Sequence, residues 1–195
     1  MKFRCERDAL VEQLSTASRA VSSRGGALPV LTGIHLRADK ETLTMTGSDL
    51  EITVRASVPV AVTEPGEAVL PSRIAVDIIR SLDSGAIEVE VTGEEAKISG
   101  GRSQFSVRTL PVDDFPALAD PTGDEVTVST SDLVAGLKQV VRAASGDDAR
   151  PILTGVLMSA EDGGLRLVAT DSYRLAVRDL PEATVLSEGQ KVLVP

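Results

Sequence analysis

Apolar positions along the chain follow two periods that alternate in blocks. From Asp8, which is placed to cap a helix, Leu10, Leu14, Ala17 and Val21 recur at the spacing of one helical face. Strand-like runs follow over residues 31–38, 42–46 and 50–58, with Ala38-Asp-Lys-Glu41 as a polar turn between the first two. The block then recurs more faintly. Residues 67–70 read as a strand, Ile74, Ile78, Ile79 and Leu82 as a helix capped by Ser72, and residues 87–91, 96–99 and 104–110 as three further strands. The mixed run 2–5 reads as an edge strand ahead of the first helix. The pattern is therefore strand, helix and three strands, twice, which predicts an α+β fold with antiparallel sheets.

Residues 111–121 break the pattern. They are rich in Pro and Asp, and they suit neither a regular helix nor a central strand. A domain linker is placed here. Beyond it a strand is expected over 125–129. A helix follows through Leu133, Leu137, Val140, Val141 and Ala144, capped by Ser131 and Asp132, and then strands over 152–159, 164–170, 174–178 and 191–194.

This last block repeats the first. Pro151-Ile-Leu-Thr-Gly-Val aligns without a gap on Pro29-Val-Leu-Thr-Gly-Ile, an offset of 122 (151 − 29) that also relates Leu43 to Leu165 and Asp49 to Asp171. With a repeat of that length, residues 1–121 make one complete domain. Residues 122–195 make the N-terminal part of a second, and a fragment of a longer protein is expected.

Composition narrows the chemistry. Aromatic residues make up 2% of the chain and Trp is absent, so the core rests on Val, Leu, Ile and Ala, and stacking of bases on aromatic platforms has almost no material. The net charge of −9 argues against a polyanion partner unless charge is segregated between faces. The three predicted helices together carry +1, which makes them the least acidic part of the chain. Arg24 and Arg150, in equivalent loops after equivalent helices, extend that bias, although basic residues also serve helix C-termini. A single cysteine, Cys5, forms no intrachain disulfide and suits a reducing cytoplasm. No signal peptide or membrane-length apolar run is present.

Catalytic constellations are hard to find. No phosphate-binding glycine loop is present, His35 has no ligand-spaced neighbours, and Cys5 has no nearby histidine, so no metal, cofactor or catalytic residue is assigned. Asp49 and Asp171 recur at equivalent turns, where a carboxylate bonding the local backbone is a better reading than acid–base work. An enzyme built on these two remains the weaker alternative. A β-rich peptide-binding module without a DNA role is another.

Several runs together resemble one family, in order along the whole chain. They are Met1-Lys-Phe with Glu6-Arg7, Leu28-Pro-Val-Leu31, Thr46-Gly-Ser-Asp-Leu-Glu51, Gly101-Arg-Ser-Gln-Phe-Ser106, Thr109-Leu-Pro with Phe115-Pro116, and Ala169-Thr-Asp-Ser-Tyr-Arg-Leu-Ala176. The sequence is similar to the bacterial DNA polymerase III beta-subunit, or sliding-clamp, family.

The resemblance implies a DNA clamp fold, with helices on the inner face of a two-subunit ring and antiparallel sheets outside. It implies a non-enzymatic processivity factor that encircles duplex DNA without reading sequence. Its partners would be the DNA polymerase III alpha subunit, the clamp loader and other proteins that carry a clamp-binding motif. It places Arg24, Arg73, Arg80, Lys138 and Arg142 toward DNA. It places Arg150, Ile152, Leu153, Thr170, Ser172, Tyr173, Arg174 and Leu175 in a partner-peptide groove. Arg102, Gln104, Phe105 and Val107 would lie at the interface of the full-length homodimer. Three positions depart from family members: Tyr173 replaces a histidine, Gln104 a basic residue and Glu12 a cation.

Overall fold

A computed structural model describes residues 1–22, 28–120, 127–161, 163–181, 183 and 186–195. These divide into two units, Met1–Ala119 and Asp120–Pro195.

The first unit contains β1 (Lys2–Glu6), α1 (Arg7–Ala17), β2 (Gly33–Asp39), β3 (Thr42–Ser48), β4 (Thr53–Pro59), β5 (Ala61–Glu64), β6 (Gly66–Pro71), α2 (Ser72–Ser81), β7 (Ala86–Thr92), β8 (Glu95–Gly100) and β9 (Ser103–Arg108). One sheet has the order β5-β1-β7-β8-β9 and the other β4-β3-β2-β6, with every pairing antiparallel. Residues 2–5 are thus not an edge. In β1, buried Phe3 and Cys5 alternate with exposed Arg4 and Glu6. That alternation marks one buried face but says nothing about how many neighbours a strand has. The neighbour missing from the sequence reading was β5, a four-residue strand too short to show a period.

A single core joins both halves of this unit. It takes Leu10, Leu14 and Ala17 from α1, Ala75, Val76 and Ile79 from α2, and the inward positions of both sheets, among them Ile34, Leu36, Met45, Ile87 and Ile98. Each large aliphatic side chain buried in this way contributes about 1.5–3 kcal/mol. Arg7 ties the two helices together. Its guanidinium donates to the carbonyls of Arg80 (3.2 Å) and Leu82 (3.1 Å) and to Ser84 Oγ (3.2 Å), so it serves the open carbonyls at the end of α2 from the start of α1. Arg80 in turn donates to Ser15 Oγ at 3.2 Å.

Three expected caps are corrected. Asp8 lies inside the first turn of α1 and pairs with Arg7 at 2.6 Å, and the N-cap is Glu6. Ser72 is already helical and buried, with Pro71 at the N-cap of α2. In the second unit the cap of α3 (Thr130–Val140) is Ser129, which accepts the Asp132 amide at 3.4 Å, not Ser131 or Asp132. Ser129, Ser131 and Asp132 all favour that position, so spacing alone left the choice open.

Residues 111–121 form neither α-helix nor strand where described, as their composition requires, but they do not hang free. Val112 and Phe115 pack against Val30, Leu31 and Val69. The Phe115 ring stacks on His35, with centroids 5.0 Å apart, and His35 Nε2 lies 3.1 Å from Glu67 Oε2. The single histidine is a structural residue. Cys5 is buried, and burial pushes its thiol up to about 12, far from thiolate chemistry at neutral pH.

The second unit has α3 and one sheet, β12-β11-β10-β13, built from β10 (Val156–Glu161), β11 (Gly164–Thr170), β12 (Leu175–Leu180) and β13 (Lys191–Val194). Residues 127–129, the described part of the strand expected over 125–129, are not a strand, and Val128 packs on the small core around Val140, Leu165 and Leu167. Strands expected to begin at 31 and 152 begin later, because Pro29–Thr32 and Pro151–Leu153 are 3-10 turns. The repeated threonine explains this. Thr32 Oγ1 donates to the Pro29 carbonyl at 2.7 Å, and Thr154 Oγ1 to that of Pro151 at 2.9 Å. The unit also exposes apolar surface. Val134 on α3 and Val141 just after it are exposed, and Val192, Leu193 and Val194 of β13 are 38–45% exposed, whereas Val69 and Leu70 of the equivalent strand β6 are buried.

Candidate functional site

The second unit presents a turn built by one carboxylate. Between β11 and β12, Asp171 Oδ1 accepts the amides of Tyr173 (3.0 Å) and Arg174 (2.9 Å), and its Oδ2 pairs with Arg174 Nε at 2.9 Å. Thr170 Oγ1 accepts the Ser172 amide at 3.1 Å and donates to the Arg174 carbonyl at 2.7 Å. Ser172 takes the left-handed conformation that this closure needs, with φ 80°. The first unit repeats the turn between β3 and β4. Asp49 Oδ1 accepts the amides of Glu51 (3.0 Å) and Ile52 (2.7 Å), Ser48 Oγ accepts that of Leu50 (3.1 Å), and Leu50 has φ 76°. Both aspartates are spent on their own backbone, and the acid–base alternative finds no support in either turn.

Asp171 is held below the usual carboxylate range, first by the Tyr173 amide, then by the Arg174 amide, with the Arg174 charge adding to both. The sign follows from linkage. A carboxylate whose folded pKa is depressed supports the fold above its unfolded pKa, near 3.9, and that support is lost as pH falls through the folded value. The expected result is that the amide resonances of Tyr173 and Arg174 move together as pH drops below about 4, while Asp171→Asn removes the titration. Amides that titrate the same way in Asp171→Asn would show that the carboxylate does not hold the turn.

A second segment meets this turn. Arg150 Nη1 donates to Ser172 Oγ at 3.3 Å, which joins the loop before the Pro151 turn to the turn of Asp171. Arg150 is itself fixed by Asp147, through Nε to Oδ2 at 3.0 Å, and Asp147 Oδ1 accepts the Ala149 amide at 3.1 Å. Asp147 was not expected as a site residue. Its only sequence signal is a carboxylate three positions before an arginine. Around this frame Ile152 is 75% exposed, Tyr173 93% and Leu175 65%, with Leu153 half-buried. Val177, two residues along β12 from Leu175 and 50% exposed, extends the apolar strip and also escaped the sequence reading. Charged groups are pinned in place while apolar groups face solvent, an arrangement suited to the apolar anchors of a short peptide.

The other expected residues divide as follows. Arg24 lies outside the described residues. Arg73 and Arg80 are exposed on one face of α2, seven residues apart with Asp77 between them. Lys138 and Arg142 are exposed, four residues apart at the end of α3 and its 3-10 extension Val141–Ala143, beside Val134, Leu137 and Val141. At the open edge of the first unit, β9 carries Gln104 and Phe105, exposed, just after exposed Arg102. Val107 does not join them. It is 6% exposed and belongs to the core, whereas Phe105, on the same face of β9, stays 37% exposed.

The family model for the DNA polymerase III beta subunit N-terminal domain matches residues 1–119, and that for the central domain matches residues 127–195. The chain belongs to the DNA polymerase III beta-subunit family. It is 37% identical over 179 residues to the beta sliding clamp of Streptomyces coelicolor, covering 92% of this chain and 47% of that protein. It is 35% identical over 205 aligned positions to that of Staphylococcus epidermidis, covering 100% of this chain and 54% of that protein. Among solved structures, the beta subunit of Pseudomonas aeruginosa matches with a TM-score of 0.88 and 32% identity over 100% of this chain and 53% of that one. The Caulobacter crescentus pol III beta matches with 0.91 and 28%, over 100% and 54%. The sliding-clamp fold expected from the sequence is thus shown, and the chain spans about half the length of the curated relatives it matches. No described helix is long and apolar enough to cross a membrane.

Proposed function

We propose that this chain supplies the first domain and the leading part of the second domain of a sliding clamp. The clamp is a cytoplasmic, non-catalytic ring of two subunits that encircles duplex DNA and tethers a polymerase to it. The observation that carries this is the succession of N-terminal and central domain models along the chain, in that order. The open apolar flank of α3 and the exposed strand β13 support a second domain that continues past the leading part.

Arg24, Arg73, Arg80, Lys138 and Arg142 would attract phosphates without reading bases, so the ring slides. The surface of Arg150, Ile152, Leu153, Thr170, Ser172, Tyr173, Arg174 and Leu175 would receive the clamp-binding motifs of the polymerase III alpha subunit, the clamp loader and other partners. The unpaired edge of β9, with Arg102, Gln104 and Phe105, would meet the second subunit, which is one way for a protein to cover an exposed strand edge.

Retention in a ring is topological and requires closure. On primed circular DNA the full-length protein should hold polymerase through long synthesis, and the 195-residue chain should not. The double substitution Tyr173→Ala with Leu175→Ala in the full-length protein should load normally and yet lower polymerase affinity at least about tenfold, since the loss of one buried anchor costs about 1–2 kcal/mol or more. Processive synthesis with the 195-residue chain alone would overturn the reading.

A further inference from the structure

The duplicated turn points to a second docking surface, on the first unit. At an offset of 122, the groove positions Arg150, Ser172, Tyr173 and Arg174 correspond to Leu28, Leu50, Glu51 and Ile52. The backbone frame is the same in both copies. Asp49 and Asp171 each accept two amides, Leu50 and Ser172 share a left-handed φ, and the Pro29 and Pro151 turns each carry a threonine bonded back to the proline carbonyl. A backbone amide ties each proline turn to the end of its helical segment as well: Ser22 donates to the Leu31 carbonyl at 3.1 Å and Ser145 to that of Leu153 at 2.8 Å.

What differs is the chemistry mounted on the frame. Arg150 and Arg174 are replaced by Leu28 and Ile52, and Ser172 by Leu50, which are 39%, 40% and 58% exposed. Among the described residues of the first unit, the other large exposed apolar side chains are Ile74 and Phe105. Between Asp49 and Thr53 the turn carries two carboxylates and no cation, whereas between Asp171 and Leu175 the carboxylate is matched by Arg174. The two acids repel phosphate, and together with three aliphatic side chains they favour an apolar segment with basic neighbours.

We propose that Leu28, Leu50 and Ile52, with Asp49 and Glu51, form a docking surface for a short protein segment that carries leucine-type anchors flanked by Lys or Arg. The inference leans on the reading of the Asp171 turn as a peptide groove for its geometry, but not for its chemistry. The exposure of the three aliphatic side chains and the two acids of the turn belong to this unit itself, and the repeat places Leu28 beside the turn as Arg150 lies beside Ser172.

The probe is a labelled peptide of sequence Lys-Leu-Leu-Arg, with Asp-Leu-Leu-Glu as the control, titrated into the 195-residue chain and followed by amide resonances. Lys-Leu-Leu-Arg should shift Leu50, Glu51 and Ile52, bind at least tenfold more tightly than the control, and weaken as salt rises. Leu50→Asn, which suits the left-handed φ and removes the anchor, should weaken it at least tenfold, and Glu51→Lys should reverse the preference between the two peptides. Tyr173→Ala should leave binding at Leu50 unchanged, whatever it does at the Asp171 turn. Shifts confined to residues 170–177, no shift at millimolar peptide, or full affinity in Leu50→Asn would each overturn the proposal.

Discussion

Gly33→Ala should destabilise the first unit by roughly 3 kcal/mol, the upper part of the range for overpacking a core. Gly33 is extended, with φ −103° and ψ 167°, so any residue could adopt its backbone, and the requirement is for space. A methyl group there would sit 2.5 Å from Val69 Cγ1, 2.9 Å from Leu110 Cδ1 and 2.9 Å from the Leu70 carbonyl oxygen. Val69 is fully buried and Leu70 nearly so, in strand β6 paired to β2, so neither side chain nor ladder can yield cheaply.

The repeat supplies its own control. At Gly155, the equivalent position, the same methyl would lie 2.4 Å from the Val194 carbonyl oxygen. There the obstructing strand is β13, whose residues are all exposed and which, among the described residues, pairs only with β10, so it can shift outward. Gly155→Ala should therefore cost about half as much in this chain, near 1–2 kcal/mol. Hydrogen exchange at Ile34 and Leu36 reads the first substitution, and exchange at Met158 reads the second. Equal protection losses at the two sites would show that local crowding, not the freedom of the neighbouring strand, sets the cost.

The same pair of glycines shows what was legible in the sequence. Pro-x-Leu-Thr-Gly announced itself twice because proline opens a turn and threonine bonds back to it, both local demands, and the repeat carried the glycine along with them although its need for space is set by a distant strand. The Asp49 and Asp171 turns were readable for the same reason, since an aspartate bonds its neighbours' amides whatever surrounds it. Features set by distant partners were not. Whether β1 had one neighbour or two depended on β5, some sixty positions away by direct count from β1. Val107 looked like an interface residue until packing with the core that both sheets and both helices share took it out of solvent. Choosing Ser129 over Ser131 as a cap turned on where the chain enters α3, which neither side chain encodes. At the proposed groove, Asp147 reaches the surface through the Arg150 it holds, and Val177 through the face of β12 it shares with Leu175, so both needed the fold to become visible.

Reversing Arg73, Arg80, Lys138 and Arg142 to glutamate in the full-length protein is the most direct trial of the residues proposed to face DNA. Each cation that neutralises a phosphate adds about 0.9 to the slope of log affinity against log salt, so four positions account for a slope of about 3.6 per subunit. Each reversal also places a carboxylate where a phosphate would pass, with Asp77 already on the α2 face. At about 50 mM salt, loading onto nicked circular DNA should slow by at least tenfold, within the range by which charge steers association. Near 0.5 M salt, where screening shortens the reach of charge to about 4 Å, parent and variant should converge.

Lifetime on the circle distinguishes electrostatics from topology. Once closed, the variant ring should remain about as long as the parent, because escape requires opening at the subunit interface rather than breaking phosphate contacts. Linear DNA removes that constraint, and there the variant should slide off the ends sooner. A loading rate indifferent to the four reversals at low salt would place these side chains away from the duplex. A lifetime on circles that collapsed with them would mean that contacts, not closure, hold the protein on DNA.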